Sequence, residues 1–231
     1  MLNAAVVGLG WWGKQIVTSL ADSTEISVRN GVDVDLDSVR GFADLHGIEL
    51  GDSYDELLAD DAIDAVILVT PHAVHEEQVL AAAAAGKQIF CEKPFALSIE
   101  SALRMLEACD KAGLGIVGIG HERRFEPALE AMKTHLDAGD FGTLIHIECN
   151  WSHNNFTKAS TSTSTWRKDS KQAPLGTLTA LGVHITDYFQ SMAGPVASLR
   201  ATTTQRSDLF PGNDVVVVQF GFESGVTGFM C

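Results

Sequence analysis

The sequence predicts an α/β protein: a doubly wound parallel sheet, then a second, mostly antiparallel α+β sheet domain. Three observations predict it. From Leu2 to about His121, short β-branched runs alternate with helical stretches, the signature of βαβ units. The run Ala65–Val69 is continuously apolar, as a strand covered on both faces must be. After about residue 121 the texture changes to several strands with hairpin-like links such as Glu223–Gly225.

The elements follow in order. Leu2 to Gly8 reads as strand and Gly10 to Leu20 as helix. Ile26 to Asp33 is the next strand, and Leu36 to His46 a helix closed by Gly47 at its C′ position. Asp35 and Asp37 suit solvated acids at that helix start. A short helix over Tyr54–Ala59 leads to the apolar strand, and an alanine-rich helix from His75 ends before Gly86. The strand Gln88–Glu92 comes next. Ser98 caps a helix whose apolar positions Ile99, Leu103 and Leu106 share one face, and Ile116–Ile119 is a further strand, giving five to six parallel strands. The predicted boundary separates residues 1–121 from 122–231. In the second domain Pro127 opens a helix with the stripe Leu129, Met132 and Leu136, stopped by Gly139. Leu144–Trp151, Val196–Thr203, Asp214–Phe222 and Gly225–Met230 read as strands. Thr157–Thr165 is too polar to pack, so an exposed loop is expected there.

Of the 231 residues 45% are hydrophobic, which excludes disorder by composition. With 16 Lys and Arg against 30 Asp and Glu, the net charge is −14, which disfavours duplex nucleic acid as a partner. Nowhere do about 18 apolar residues run together, so no membrane span is expected. The start of the chain lacks the basic region of a signal peptide. Four cysteines without a Cys-x-x-Cys pair argue against a zinc ribbon or disulfide framework, so a cytoplasmic setting is expected. The histidines show no metal spacing, and no metal is assigned.

Gly8, Gly10 and Gly13 lie between a predicted strand and a predicted helix. Three glycines there allow a tight turn, close approach of backbone to a pyrophosphate and close helix-on-strand packing, as in a Rossmann dinucleotide-binding domain. Asp33 ends the second strand, placed to accept from a ribose 2′-hydroxyl and to repel a 2′-phosphate. NAD is therefore expected over NADP. Trp11 and Trp12 are unusually bulky for the turn; they either pack over the cofactor edge or fill core. After the strand ending at Cys91 and Glu92, Lys93 emerges at the carboxyl edge of the sheet, where ligands of open α/β folds bind. Its ammonium can donate to a substrate hydroxyl or move protons.

The glycine turn, Thr70-Pro71 with His75, Glu92-Lys93-Pro94, Arg124-Phe125 with Pro127, Trp166-Arg167, and Gly182 and His184 with Asp187 keep the motif order of one family. Together they resemble the glucose-fructose oxidoreductase, inositol dehydrogenase and rhizopine-catabolism (Gfo/Idh/MocA) family across nearly the whole chain. That resemblance implies a Rossmann domain, a C-terminal sheet domain, and hydride transfer from a secondary hydroxyl of a sugar, cyclitol or related ring to NAD(P). It implies Lys93 and His184 as catalytic groups, and Thr70, Pro71, His75 and Glu92 beside the cofactor. On the substrate side it suggests Arg124, Trp166, Arg167, Thr179 and Asp187. A cis Lys93–Pro94 peptide and assembly as a homo-dimer or homo-tetramer are further implications. Family members usually run longer, so part of the second domain is expected to be absent from the chain.

The chain departs from the pattern in one place. Four residues before His184, where the family has an aspartate, stands Ala180. A histidine works best as a base when a second group fixes its tautomer. The residues alone leave His184 either catalytic or a satisfied helix residue beside the stripe Ile185, Phe189 and Met192, with Asp187 and Tyr188 on its face. His75 suits a place near the nicotinamide or an ordinary capping or surface role. The pairs Arg123-Arg124 and Arg167-Lys168 either hold an anionic substrate group or form solvated faces. An NAD-dependent oxidoreductase is the leading expectation. The alternatives are a dinucleotide-binding regulatory or scaffold protein without turnover and an NAD-using glycosidase-type enzyme.

Overall fold

The computed structural model describes residues 1–115, 117–152, 169, 171–172, 174, 176, 178–206 and 214–231. It divides into two compact units, residues 1–120 and 121–231.

The first unit runs β1 (Leu2–Val7), α1 (Trp11–Leu20), β2 (Ile26–Val32), α2 (Leu36–His46), β3 (Glu49–Gly51), α3 (Tyr54–Ala59), β4 (Ala65–Leu68), α4 (His75–Ala84), β5 (Gln88–Cys91), α5 (Ile99–Lys111) and β6 (Val117–Ile119). All six strands are parallel, in the order β3-β2-β1-β4-β5-β6. The connections leave β1 in one direction for β2 and in the other for β4. Sheets of this topology bind ligands outside the carboxyl ends of the strands, at that reversal.

Successive residues of a strand point to opposite faces, and both faces of this sheet are covered. Ala4, Val6 and Ile67 pack with Val17 of α1 and Val39 and Ala43 of α2. Ala5, Val7, Val66 and Leu68 pack on the other side with Val79 and Ala82 of α4 and Met105 and Cys109 of α5. The helix starts are capped as their residue types dictate. Asp35 accepts from the Ser38 N–H, Ser53 from Glu56 and Ser98 from Ser101. Gly47 closes α2 at φ +65°.

Two expectations differ from the structure here. The three-residue β3 is absent from the sequence reading. On α5 the stripe Ile99, Leu103 and Leu106 is exposed, at 75%, 60% and 43%. The buried face carries Ser101, Met105 and Cys109 instead, and the Ser101 hydroxyl donates to Glu76 at 2.7 Å. Ile116, the expected start of the last strand, lies outside the described residues.

The second unit contains α6 (Pro127–Asp137), β7 (His146–Cys149), α7 (Val183–Ala193), β8 (Val196–Thr204), β9 (Val215–Phe222) and β10 (Thr227–Met230). The sheet order is β7-β10-β9-β8; β7 runs parallel to β10 and the other pairs are antiparallel. Ile185, Phe189 and Ala193 of α7 lie on Val218, Phe220, Phe222, Val226 and Met230, making the unit's core. A π-helical turn, Leu178–Gly182, leads directly into α7. The polar stretch 157–165 lies outside the described residues. Among the described residues no helix is long and apolar enough to cross a membrane, and no cluster of three or more His, Cys, Asp or Glu can hold a metal ion.

Candidate cofactor and active site

The turn after β1 requires its glycines for different reasons. Gly8 has φ +94°, and a Cβ on it would stand 2.7 Å from the carbonyl oxygen of Val69. On Gly13 a Cβ would stand 2.0 Å from the carbonyl oxygen of Gly8, so α1 lies on the turn only because that position is bare. Around Gly10 the opposite holds, for a Cβ there meets nothing within 4 Å. Gly10 is also the N-cap of α1, with no side-chain cap and no acid in the first turn. The unshared N–H groups and positive end of the helix dipole are thus left for an anion. Asp33 completes the arrangement: one carboxylate oxygen accepts from the Leu9 N–H at 2.7 Å, the other from the Asp35 N–H at 3.0 Å. The bare Gly10 backbone, the uncapped helix start and the oriented acid fit a dinucleotide.

Trp11 and Trp12 differ in exposure, and neither belongs to the buried core. Trp11 is 74% exposed and stacks on Trp12 with centroids 5.4 Å apart. The Trp12 indole N–H donates to Glu92 Oε1 at 2.7 Å. Glu92 is buried, and its Oε2 accepts from the Lys93 N–H at 3.1 Å. One carboxylate therefore ties the glycine turn to the loop that carries Lys93. The Lys93–Pro94 peptide is cis, as the resemblance implied. Burial, followed by the neighbouring Glu92 charge, pushes the Cys91 thiol far up, so it offers no thiolate nucleophile.

His75 is buried, contrary to the surface role considered for it. Its ring is fully buried, and Nε2 and Nδ1 stand 3.0 Å from the carbonyl oxygens of Thr70 and Pro94. Burial holds it below the ordinary histidine range, against the opposing contacts with those carbonyls. It joins the loop after β4, with Thr70 and Pro71, to the loop after β5. The Thr70 hydroxyl donates to Gln78.

In the second unit His184 sits in the first turn of α7 and is 4% exposed. Asp187, one turn on, is occupied by Arg124, whose Nε and Nη2 donate to its two oxygens at 2.6 and 2.5 Å. Arg123 pairs with Glu122 and Glu126. Carboxylates of the same unit thus face both guanidinium groups of the basic pair. Thr179 is buried, and its hydroxyl donates to the Pro174 carbonyl. Trp166 and Arg167 lie outside the described residues. Glu122, which the sequence reading did not single out, places Oε2 3.8 Å from His184 Nδ1.

A cavity of about 410 Å³ in the same unit is lined by His184, Trp151 and Arg123 and otherwise mainly by apolar side chains such as Leu129, Ile147 and Phe189.

A doubly wound sheet with a glycine turn before α1 and an acid after β2 defines a Rossmann-type dinucleotide-binding fold. Residues 2–135 match the family model described as an oxidoreductase family with an NAD-binding Rossmann fold, and residues 129–231 match the GFO/IDH/MocA C-terminal domain. The chain belongs to the Gfo/Idh/MocA oxidoreductase family. Over 157 residues it is 38% identical to scyllo-inositol 2-dehydrogenase (NAD(+)) of Bacillus subtilis, a match covering 64% of this chain and 43% of that protein. It is 28% identical over 231 residues to D-apiose dehydrogenase of Paraburkholderia graminis, covering 97% and 58%. The chain thus spans about half the length of the curated relatives it matches. Among solved structures, GenD2 from gentamicin A biosynthesis in complex with NAD superposes with a TM-score of 0.89 at 26% identity, over 99% of this chain and 64% of that one. A structure from Desulfitobacterium hafniense described as an NADPH-dependent oxidoreductase gives 0.91 at 26%, over 99% and 65%.

Proposed function

We propose that the chain acts as an NAD-dependent dehydrogenase that oxidises a secondary hydroxyl of a sugar, cyclitol or related ring. One observation carries the reading: the Glu92 carboxylate joins the phosphate turn, through Trp12, to the backbone of Lys93. A dinucleotide site and a lysine at the carboxyl edge of the same sheet are thereby built as one piece. The names of the inositol and apiose dehydrogenase relatives support the substrate class.

The bound cofactor would supply the hydride acceptor. In this reading the N–H groups at the start of α1 hold the pyrophosphate and Asp33 holds the ribose hydroxyls. Lys93 donates to the reacting hydroxyl, and His184 takes its proton. The test is a panel of cyclic polyols and sugars offered with NAD and with NADP, following the reduced nicotinamide. Reduction of NAD with a ring polyol is expected. Ala180 favours a second reading, a dinucleotide binder without turnover, for which NAD would raise the melting temperature yet never be reduced.

Assembly as a homo-dimer or homo-tetramer belongs to the same proposal. The nine-residue β8 is exposed along almost its whole length, with Leu199 65% exposed, and long exposed edge strands invite pairing. Light scattering at micromolar concentration tests it, a monomeric mass counting against it. The free cysteines suit a reducing cytoplasm.

A further inference from the structure

An imidazole that takes a proton at one ring nitrogen needs the other nitrogen held, or it spends part of its time in the wrong tautomer. At Ala180 this chain has only a methyl group to offer. Within the second unit, however, His184 Nδ1 and Glu122 Oε2 are both shielded from solvent and face each other at 3.8 Å. We propose that Glu122 is the positioning residue of His184, supplying from the 3₁₀ turn Glu122–Phe125 the carboxylate that position 180 lacks. The inference rests on the reading of His184 given under Proposed function.

Glu122 is set in place by its neighbours. Its Oε1 stands 3.3 Å from Arg123 Nε. The Arg123 guanidinium also pairs with Glu126 and lies over the Trp151 ring, 5.2 Å from its centroid. Trp151 in turn packs near His184, with centroids 6.3 Å apart. The other charged groups nearby are engaged among themselves. His121 meets the His184 ring edge-on at 6.3 Å, and its Nδ1 lies 3.8 Å from Asp187, which carries both bonds from Arg124. Among the described residues, Glu122 is therefore the carboxylate turned toward His184.

A separation of 3.8 Å is a contact of charges rather than a hydrogen bond. The terminal torsion of a glutamate is broad, so a modest rotation brings an oxygen within bonding distance of an Nδ1–H. That contact favours the tautomer with the proton on Nδ1 and leaves Nε2 as the acceptor. When the substrate hydroxyl gives its proton to Nε2, as the hydride of the same carbon passes to the cofactor, the imidazolium forms beside a negative charge.

The test is long-range ¹H–¹⁵N spectroscopy of the His184 ring in the full chain, with His184→Ala providing the assignment. The unmodified protein is expected to show Nδ1 protonated and Nε2 bare at neutral pH. Glu122→Ala should move the ring toward the Nε2–H form and lower the pH at which it titrates. It should also reduce kcat by about tenfold or more while KM changes less. Glu122→Asp should restore part of each effect. Glu122→Gln keeps the volume and removes the charge, so it should lower the titration even if the alanine variant does not fold. An unchanged ring spectrum and titration in the Ala and Gln variants, with His184→Ala inactive, overturns this inference alone. Near-normal turnover in His184→Ala overturns the underlying catalytic reading instead.

Discussion

A Cβ on Gly13 would stand 2.0 Å from the carbonyl oxygen of Gly8. Backbone meets backbone there, so neither partner can swing aside. Gly13→Ala should cost about 3 kcal/mol or more of stability, the upper end of overpacking. Gly10→Ala should leave stability within about 0.5 kcal/mol, because its Cβ meets no protein atom and its φ of −63° suits any residue. It should nevertheless weaken NAD binding about tenfold, the new methyl occupying the space through which the pyrophosphate approaches. Urea unfolding read beside calorimetric titration separates the two glycines.

Cofactor choice rests on Asp33. Asp33→Asn keeps an acceptor for the Leu9 N–H and removes the charge, so the preference for NAD over NADP should fall about tenfold. Tighter binding of NADP than of NAD by the unmodified protein would refute the assignment.

Turnover is expected to need both proposed proton-handling groups. Lys93→Met and His184→Ala should each lower kcat by roughly 10²-fold, the common scale of acid–base loss, with NAD affinity nearly unchanged. If the two act on one hydroxyl, the double variant should be little worse than either single one. Additive losses would mean that they act separately.

The stability of the first unit should carry a signature of His75. Burial lowers its pKa in the folded protein. Below about pH 6.5 the unfolded chain takes up a proton that the folded chain resists, so stability is lost as pH falls from that value. The slope attributable to this residue is at most about 1.4 kcal/mol per pH unit. Denaturation midpoints at several pH values, compared with those of His75→Gln, isolate it; equal slopes in the two proteins would rule it out.

What was legible in the sequence follows from how local each signal is. Gly8, Gly10 and Gly13 between strand and helix, the apolar run of β4 and the stop at Gly47 all act within a few residues, and each stands where it was expected. The three residues of β3 are too few for any period to show. On α5, Ile99, Leu103 and Leu106 form as good a stripe as Met105 and Cys109 with Ser101. Only the hydroxyl bond to Glu76, formed in three dimensions, shows how a serine can sit on the buried face. The pairings of Arg124 and Glu122 were hidden for a related reason. Their partners Asp187 and His184 are distant in sequence, and a charge read alone does not reveal what neutralises it.

The double use of the Glu92 carboxylate has a consequence for binding. Since the same group bonds the Trp12 indole and the Lys93 amide, the proposed cofactor site and the loop that carries the lysine are coupled in the proposed reading. Linkage is reciprocal, so whatever factor NAD adds to the affinity for the polyol, the polyol must add to the affinity for NAD. Calorimetric titration of each ligand with and without the other should return the same factor.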